Sequence, residues 1–525
     1  MKTSALRFGA SLLCLMLTPA AAGRNPQLDS DIVIRGGQVY TGDAQPFIGD
    51  VAIKADRIVY VGPKAPGRAG RTIDARGMIV APGFIDPHTH AGAALASDSP
   101  VERLLLPFLT QGVTTAFIGV DGGGDPDVGR TLGGQGYGIN FATYVGFGGV
   151  RSAVIGNADR APTPAEMSQM KVLVAKAMCQ GALGLSTGLF YAPQSFARQD
   201  EVAALARVAG AAGGVYDSHL RDESSYSIGL LGAVDEAIAI GRDAQIPVHI
   251  AHIKALGVDV QGSAPQVIAR VEAARARGQV VHADQYPWSA SGTGLSAALI
   301  PRWAQDGGRA AMLSRFADEK LRDRLRTEIA ENLRRRGGAE AVLITTGPDW
   351  AKGRTLAVLA RERGTDPVAS TLDLLKVSEV SIASFNQSED DIAAFMKRDW
   401  VVTSSDASTG HPRYYASFAR KYATYVRERG VIDLRTFIAS STLRTARIFG
   451  LEGRGELRNG NFADVVVFNP AKFGPQADYT HPTLFSIGMR TVVVNGRIKI
   501  DDGKPTGMAA GMPLLRRAKA GVCPQ

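Results

Sequence analysis

The chain has 525 residues, 45% hydrophobic and 21% charged, with a net charge of +9. That is the composition of a folded globular protein and excludes large-scale disorder. Mean hydropathy is near zero and the one long apolar run is N-terminal, which excludes a multi-spanning membrane protein.

The opening stretch, MKTSALRFGASLLCLMLTPAAAG, has a basic start, an apolar core near Leu12–Leu17 and a small-residue exit at Ala20–Ala22. This pattern predicts a signal peptide over residues 1–22, too short for a spanning helix, and a mature chain that is periplasmic or secreted with no stable membrane insertion. Loss of Lys2 and Arg7 with it leaves a net charge of +7. Cys14 follows Leu13, a residue too large for lipid attachment. Only Cys179 and Cys523 then remain, and two cysteines so distant in sequence predict no disulfide framework and a fold independent of disulfides.

Residues 31–63 read as short β segments broken by Gly-Gly, Gly-Asp and Asp-Arg turns, and the texture returns at 461–503. Residues 31–77 and 451–516 are therefore expected to form one small β-sandwich from both chain ends. Between them, apolar runs alternate with helical patterns such as 165–181 and 234–245. Eight candidate strands lie at 78–90, 113–123, 140–149, 181–189, 214–221, 247–254, 280–288 and 400–408. The alternation predicts an α/β chain, with residues 78–450 as a (β/α)8 TIM-like barrel. An open doubly wound sheet is disfavoured because no GxGxxG follows the first strand; GGQGYG (133–138) reads as a loop. The long gap at about 289–399 reads as an inserted subdomain over the barrel mouth. Its stretch LRDRLRTEIAENLRRRGG (321–338) interleaves acids with bases and lacks aromatic platforms. It reads as a solvated helix face, with no nucleic acid as partner.

Barrel enzymes carry reacting groups at the C-terminal ends of strands. The first strand ends in Asp86-Pro-His88-Thr-His90, and residues two apart on a strand face the same way, so His88 and His90 can grip one ion. His219 ends the fifth strand, His249 and His252 lie on the sixth, and Asp406 ends the eighth. Imidazoles and carboxylates converging from four strands suit zinc or a similar divalent metal. His249, three residues before His252, points the other way and reads as structural. Taken singly, each has a plainer reading: a core histidine, a surface HxH, or a helix cap at Ser405-Asp406.

APGFIDPHTH (81–90), GALGLSTGLFYAP (181–193), SHLRDE (218–223), AHIKALG (251–257), DQYPW (284–288), SSDAS (404–408) and HPR (411–413) together resemble the amidohydrolase superfamily, in particular the D-aminoacylase (N-acyl-D-amino-acid deacylase) family. The resemblance runs from about residue 31 to 516. It implies that His219 and His252 hold a tightly bound metal, that His88 and His90 serve a second position, and that Asp406 is the catalytic general base and acid. It also implies that Tyr191, Lys254, Tyr286 and Arg413 hold polar groups and the carboxylate of an N-acyl amino acid. The family's usual metal-ligating cysteine is replaced by Asp121, in Gly119-Val120-Asp121-Gly122, and the lysine used elsewhere in the superfamily by Ser186. A hard carboxylate in place of a thiolate implies one or two divalent ions, Zn2+ with Mn2+ or Co2+ as alternatives. The implied activity is hydrolysis of N-acyl-D-amino acids to a carboxylic acid and a free D-amino acid. Cyclic-amide opening of the dihydropyrimidinase or dihydroorotase kind, dipeptide hydrolysis, and a non-catalytic binding protein are the alternatives.

Overall fold

The computed structural model describes residue 1 and residues 30–523. The signal segment expected at 1–22, Met1 apart, lies outside the described residues. Among those described, no helix is long and apolar enough to cross a membrane.

The central body is a barrel of eight parallel strands. In chain order they are Phe84–Asp86, Val113–Ile118, Asn140–Thr143 (continued by Val145–Gly146), Gly184–Gly188, Val215–His219, Val248–Ile250, Val281–Gln285 and Val401–Thr403. Each pairs with its neighbour in sequence. The ring closes where Thr89 bridges Ala407 in parallel and the Asp406 amide donates to the His88 carbonyl at 3.0 Å. Almost every strand residue is buried, as required when the inner face packs on itself and helices cover the outer face. The helix Gly229–Ala244 shows the local cause. It buries Leu230, Ala233, Val234, Ala237, Ile238 and Gly241, spaced three and four apart, so one stripe meets the strands. The helix Pro164–Cys179 begins with a capping box in which Thr163 and Glu166 satisfy each other's amides.

The strand expected over 78–90 is divided. Residues Ile79–Pro82 pair with Val465–Phe468 and belong to the terminal sheet, and the barrel begins at Phe84. Gly83 marks the break: a Cβ there would lie 2.1 Å from the Thr114 hydroxyl, so only glycine lets the chain pass that close.

Both chain ends contribute to one nine-stranded sheet. Its longest strand, Ser30–Val39, bulges between Ile34 and Gly37. Residues before the bulge pair with Ala69–Asp74 and residues after it with Ile79–Pro82, so the sheet splits there around Ile32, Ile34, Val51, Ile53, Val465 and Val467.

Between barrel strands seven and eight, Ala290–Gly294, Val342–Ile344 and Ser381–Phe385 form a separate antiparallel sheet. Helices 295–299, 309–317, 322–335, 356–362 and 367–377 pack on it around a core that includes Leu295, Leu299, Ile329, Leu356 and Leu375. Each such side chain contributes about 1.5–3 kcal/mol on burial, enough to give this insert its own core.

The expectation about cysteines is overturned, because Cys179 and Cys523 form a disulfide. The reason lies in the C-terminal tail, which runs back along the barrel. Gly511 bridges Tyr137, Pro513 bridges Phe141, the Arg516 amide donates to Gly181 O and the Lys519 amide to Ala212 O. That path carries Cys523 to the end of the helix containing Cys179, across a sequence separation of 344 residues.

Candidate functional site

The C-terminal ends of the strands bring the candidate ligands into one cluster. The Asp121 carboxylate stands between the two histidine pairs. Its Oδ1 lies 3.3 Å from His88 Nε2, 3.6 Å from His219 Nδ1 and 3.4 Å from His252 Nε2, and its Oδ2 lies 3.5 Å from His90 Nε2. His219 and His252 present ring nitrogens 2.9 Å apart. Asp406 Oδ1 faces the other pair, 3.3 Å from His90 and 3.8 Å from His88. His88, His219, His252 and Asp406 are buried and Asp121 nearly so, while the His90 side chain is 39% exposed at the mouth. His88, Asp121 and His252 can offer ligand atoms within 4.8 Å of one another, as can His88, His90 and Asp406. Both ring nitrogens of His88 and Oδ1 of Asp121 have no hydrogen-bond partner although buried. Buried polar atoms are seldom left so, and a divalent cation fits them in charge, donor type and spacing.

Local backbone explains the convergence. Asp121 (φ 54°), His252 (φ 35°) and Asp406 (φ 47°) all adopt left-handed conformations, which for a histidine is costly. Buried polar groups hold these turns in place. Ser186, at the position of the superfamily's lysine, donates to Gly119 O at 2.5 Å and accepts from Gly122 N at 3.1 Å, clamping the loop that carries Asp121. Gln194 Nε2 donates to the Asp121 carbonyl at 2.9 Å. Asp284 accepts from the His252 amide at 3.0 Å and pairs with His249 at 2.8 Å, so His249 braces the sixth strand from the side away from the ligands. Asp86 accepts from the amides of Ser405 and His88, tying strand eight to strand one; burial pushes its carboxyl up to about 8.

The electrostatics favour charged carboxylates at the cluster. Burial opposes ionisation of Asp121, but the imidazoles of His88 and His219 hold its carboxyl well below the usual range. Burial likewise opposes ionisation of Asp406, but Arg413, 2.7 Å away, together with His252, His90 and His88, holds its carboxyl well below the usual range. Asp406 caps no helix: the next one, Arg413–Arg420, begins after Pro412.

The four residues expected to hold substrate surround this cluster. Lys254 donates to Glu223 at 2.6 Å and contacts His252 Nδ1 at 2.7 Å, so it also fixes the ring that turns Nε2 toward Asp121. The Tyr191 ring lies against His219, with centroids 4.7 Å apart, and its hydroxyl meets Thr293 of the insert. The Tyr286 ring lies under Lys254 and Arg413, and its hydroxyl accepts from Gln387. Arg413 also donates to Ser408 Oγ at 2.9 Å.

Glu223 was missed in the sequence, although it lies four residues after His219 within SHLRDE. It contacts His252 Nδ1 at 3.2 Å and His219 Nε2 at 3.7 Å. Residues 291–293 and Arg336, all from the insert, also line the cavity, and no pattern in the sequence marked them.

The model of the Amidohydrolase family matches residues 145–500. D-aminoacylase of Alcaligenes xylosoxydans xylosoxydans is 31% identical, covering 93% of this chain and 98% of the relative. The chain belongs to the amidohydrolase family, in its D-aminoacylase branch. A solved structure of D-aminoacylase with a binuclear metal center superposes on this amidohydrolase with a TM-score of 0.79 at 29% identity, over 93% of this chain and all of that one. A structure of N-acyl-D-glutamate deacylase from Bordetella bronchiseptica, complexed with zinc and a phosphonate mimic of the tetrahedral intermediate, gives 0.78 at 28% identity, with the same coverage.

Proposed function

We propose that this amidohydrolase is a metal-dependent hydrolase that cleaves the amide bond of N-acyl-D-amino acids. The observation that carries the proposal is the Asp121 carboxylate set between the His88–His90 and His219–His252 pairs, with the Asp406 carboxyl group beside them. The similarity to D-aminoacylase over nearly the full length supports the substrate class and the D configuration.

His88, His90, Asp121, His219 and His252 would hold one or two divalent ions. Zinc is our proposal, with manganese or cobalt as substitutes, since a carboxylate is a harder ligand than a thiolate. When bound, the metal supplies Lewis-acid polarisation of the acyl carbonyl and makes water more acidic. Asp406 Oδ1 takes a proton from the attacking water and delivers it to the amide nitrogen as the C–N bond breaks. Arg413 keeps Asp406 ionised before that transfer. Tyr191, at the mouth beside His219, is placed to donate to the developing oxyanion. Lys254, Tyr286 and Arg413 orient the substrate carboxylate.

We further propose that the chain is exported to the periplasm or beyond. The N-terminal pattern supports this, and so does the Cys179–Cys523 disulfide, a bond that persists in oxidising compartments.

The test is hydrolysis of N-acetyl-D- and L-amino acids by protein loaded separately with zinc, manganese and cobalt, alongside a cyclic-amide substrate. Turnover confined to linear D substrates is expected. Turnover of the cyclic amide alone would overturn the reading.

A further inference from the structure

The run Arg334-Arg335-Arg336 closes the insert's helix Arg322–Arg335, where solvated basic residues are ordinary. Two of the three behave so. Arg334 is half exposed and pairs with Asp259 and Glu331, and Arg335 pairs with Glu331 at 3.3 Å. Arg336 differs. It is only 2% exposed, and its hydrogen-bonding partners are neutral, Tyr226 Oη at 2.8 Å and Ser384 Oγ at 3.4 Å. No ion pair within 4.0 Å neutralises it among the described residues.

Arg336 lines the catalytic cavity together with Tyr226, Leu256 and Asp406. The lysine of the same cavity, Lys254, is already matched by Glu223 at 2.6 Å. A buried guanidinium without a counter-charge is costly, and a planar fork facing a cavity is suited to binding a carboxylate through two N–H groups.

We propose that Arg336 is a specificity-determining residue that binds a second carboxylate of the substrate, so that the enzyme selects N-acyl-D-amino acids bearing two carboxylates over those with one. This rests on the deacylase reading and narrows its substrate class. The second carboxylate can sit on the amino-acid side chain or on the acyl chain, and the assay separates the two.

The experiment measures kcat/KM of the metal-loaded enzyme for N-acetyl-D-glutamate, N-succinyl-D-leucine and N-acetyl-D-leucine, for wild type, Arg336→Met and Arg336→Lys. Wild type is expected to favour one of the dicarboxylates over N-acetyl-D-leucine by at least about tenfold. Arg336→Met should lose about 10–100-fold on that substrate, mainly through KM, and leave N-acetyl-D-leucine within about threefold. Arg336→Lys should fall between. Preference of wild type for N-acetyl-D-leucine overturns the proposal while sparing the deacylase reading. An equal loss on all three substrates overturns it too, because Arg336 would then hold the common carboxylate or only anchor the insert. If Arg336→Met fails to fold, the wild-type ranking and Arg336→Lys decide by the same criteria. Failure to hydrolyse any of the three overturns the deacylase reading, and this one with it.

Discussion

Arg413 and Asp406 form a buried ion pair, with Nη1 2.7 Å from Oδ2 and both side chains at most 6% exposed. The arginine expected to serve the substrate is thereby tied to the residue expected to move the proton. Asp406→Asn keeps the size of the side chain but cannot accept a proton, so kcat should fall by about 10²–10⁴-fold. It also leaves Arg413 buried without its partner charge, a loss typically worth about 3–5 kcal/mol. The variant should therefore melt earlier, and adding Arg413→Met should recover part of the Tm but none of the kcat. Full activity in Asp406→Asn would remove Asp406 from the chemistry.

Asp121 faces all four histidines, so Asp121→Ala should lose bound metal and activity together. Asp121→Cys should retain metal and shift preference toward zinc over manganese, since thiolate is the softer ligand. Elemental analysis of both variants after dialysis against mixed metals checks this. Unchanged metal content in Asp121→Ala would assign the ligand role elsewhere.

His282, on barrel strand seven, gives a pH signature independent of catalysis. Burial, with smaller contributions from His249 and Arg275, pushes its imidazole down to about 4. The unfolded ring takes up a proton near 6.5, so the unfolded chain gains protons first as the solution is acidified. Stability from this group is complete above about pH 6.5 and is lost as pH falls through about 4. His282→Gln should flatten that part of the Tm profile, and a profile parallel to wild type would discount the residue.

The Cys179–Cys523 bond should contribute about 2–4 kcal/mol, the common range for a native disulfide. Reductant should lower the Tm of wild type by several degrees and leave Cys179→Ser unaffected. Limited proteolysis of Cys179→Ser should cut first within the C-terminal tail. Equal response of both proteins to reductant would show that the bond carries no stability.

What could be read from the sequence was what periodicity and strand position encode. Alternating apolar runs located the eight barrel strands, and the rule that reacting groups sit at strand ends picked out His88, His90, His219, His252 and Asp406 before any distance was known. Residues whose meaning depends on tertiary placement were illegible. Glu223 looked like one more acid in a polar loop until folding set it against His252 and Lys254. Arg336 was indistinguishable from its two solvated neighbours. The cysteine pairing stayed hidden because nothing local records that the tail returns to the barrel. Ile79–Pro82 was absorbed into the following strand because a hydrophobic run carries no mark of which sheet it will join.

The pairing of Ile79–Pro82 with Val465–Phe468 sets an order of events for assembly. The early strand is synthesised long before its partner exists, and its hydrogen-bonding edge must wait while the barrel and the insert emerge. Contacts of such separation are slow to form, and an unpaired edge invites the wrong neighbour meanwhile. The terminal sheet therefore completes last and acts as a fastening on the finished barrel. Truncation before Val465 should leave Ile79–Pro82 paired with Ser30–Val39 alone, its other edge open.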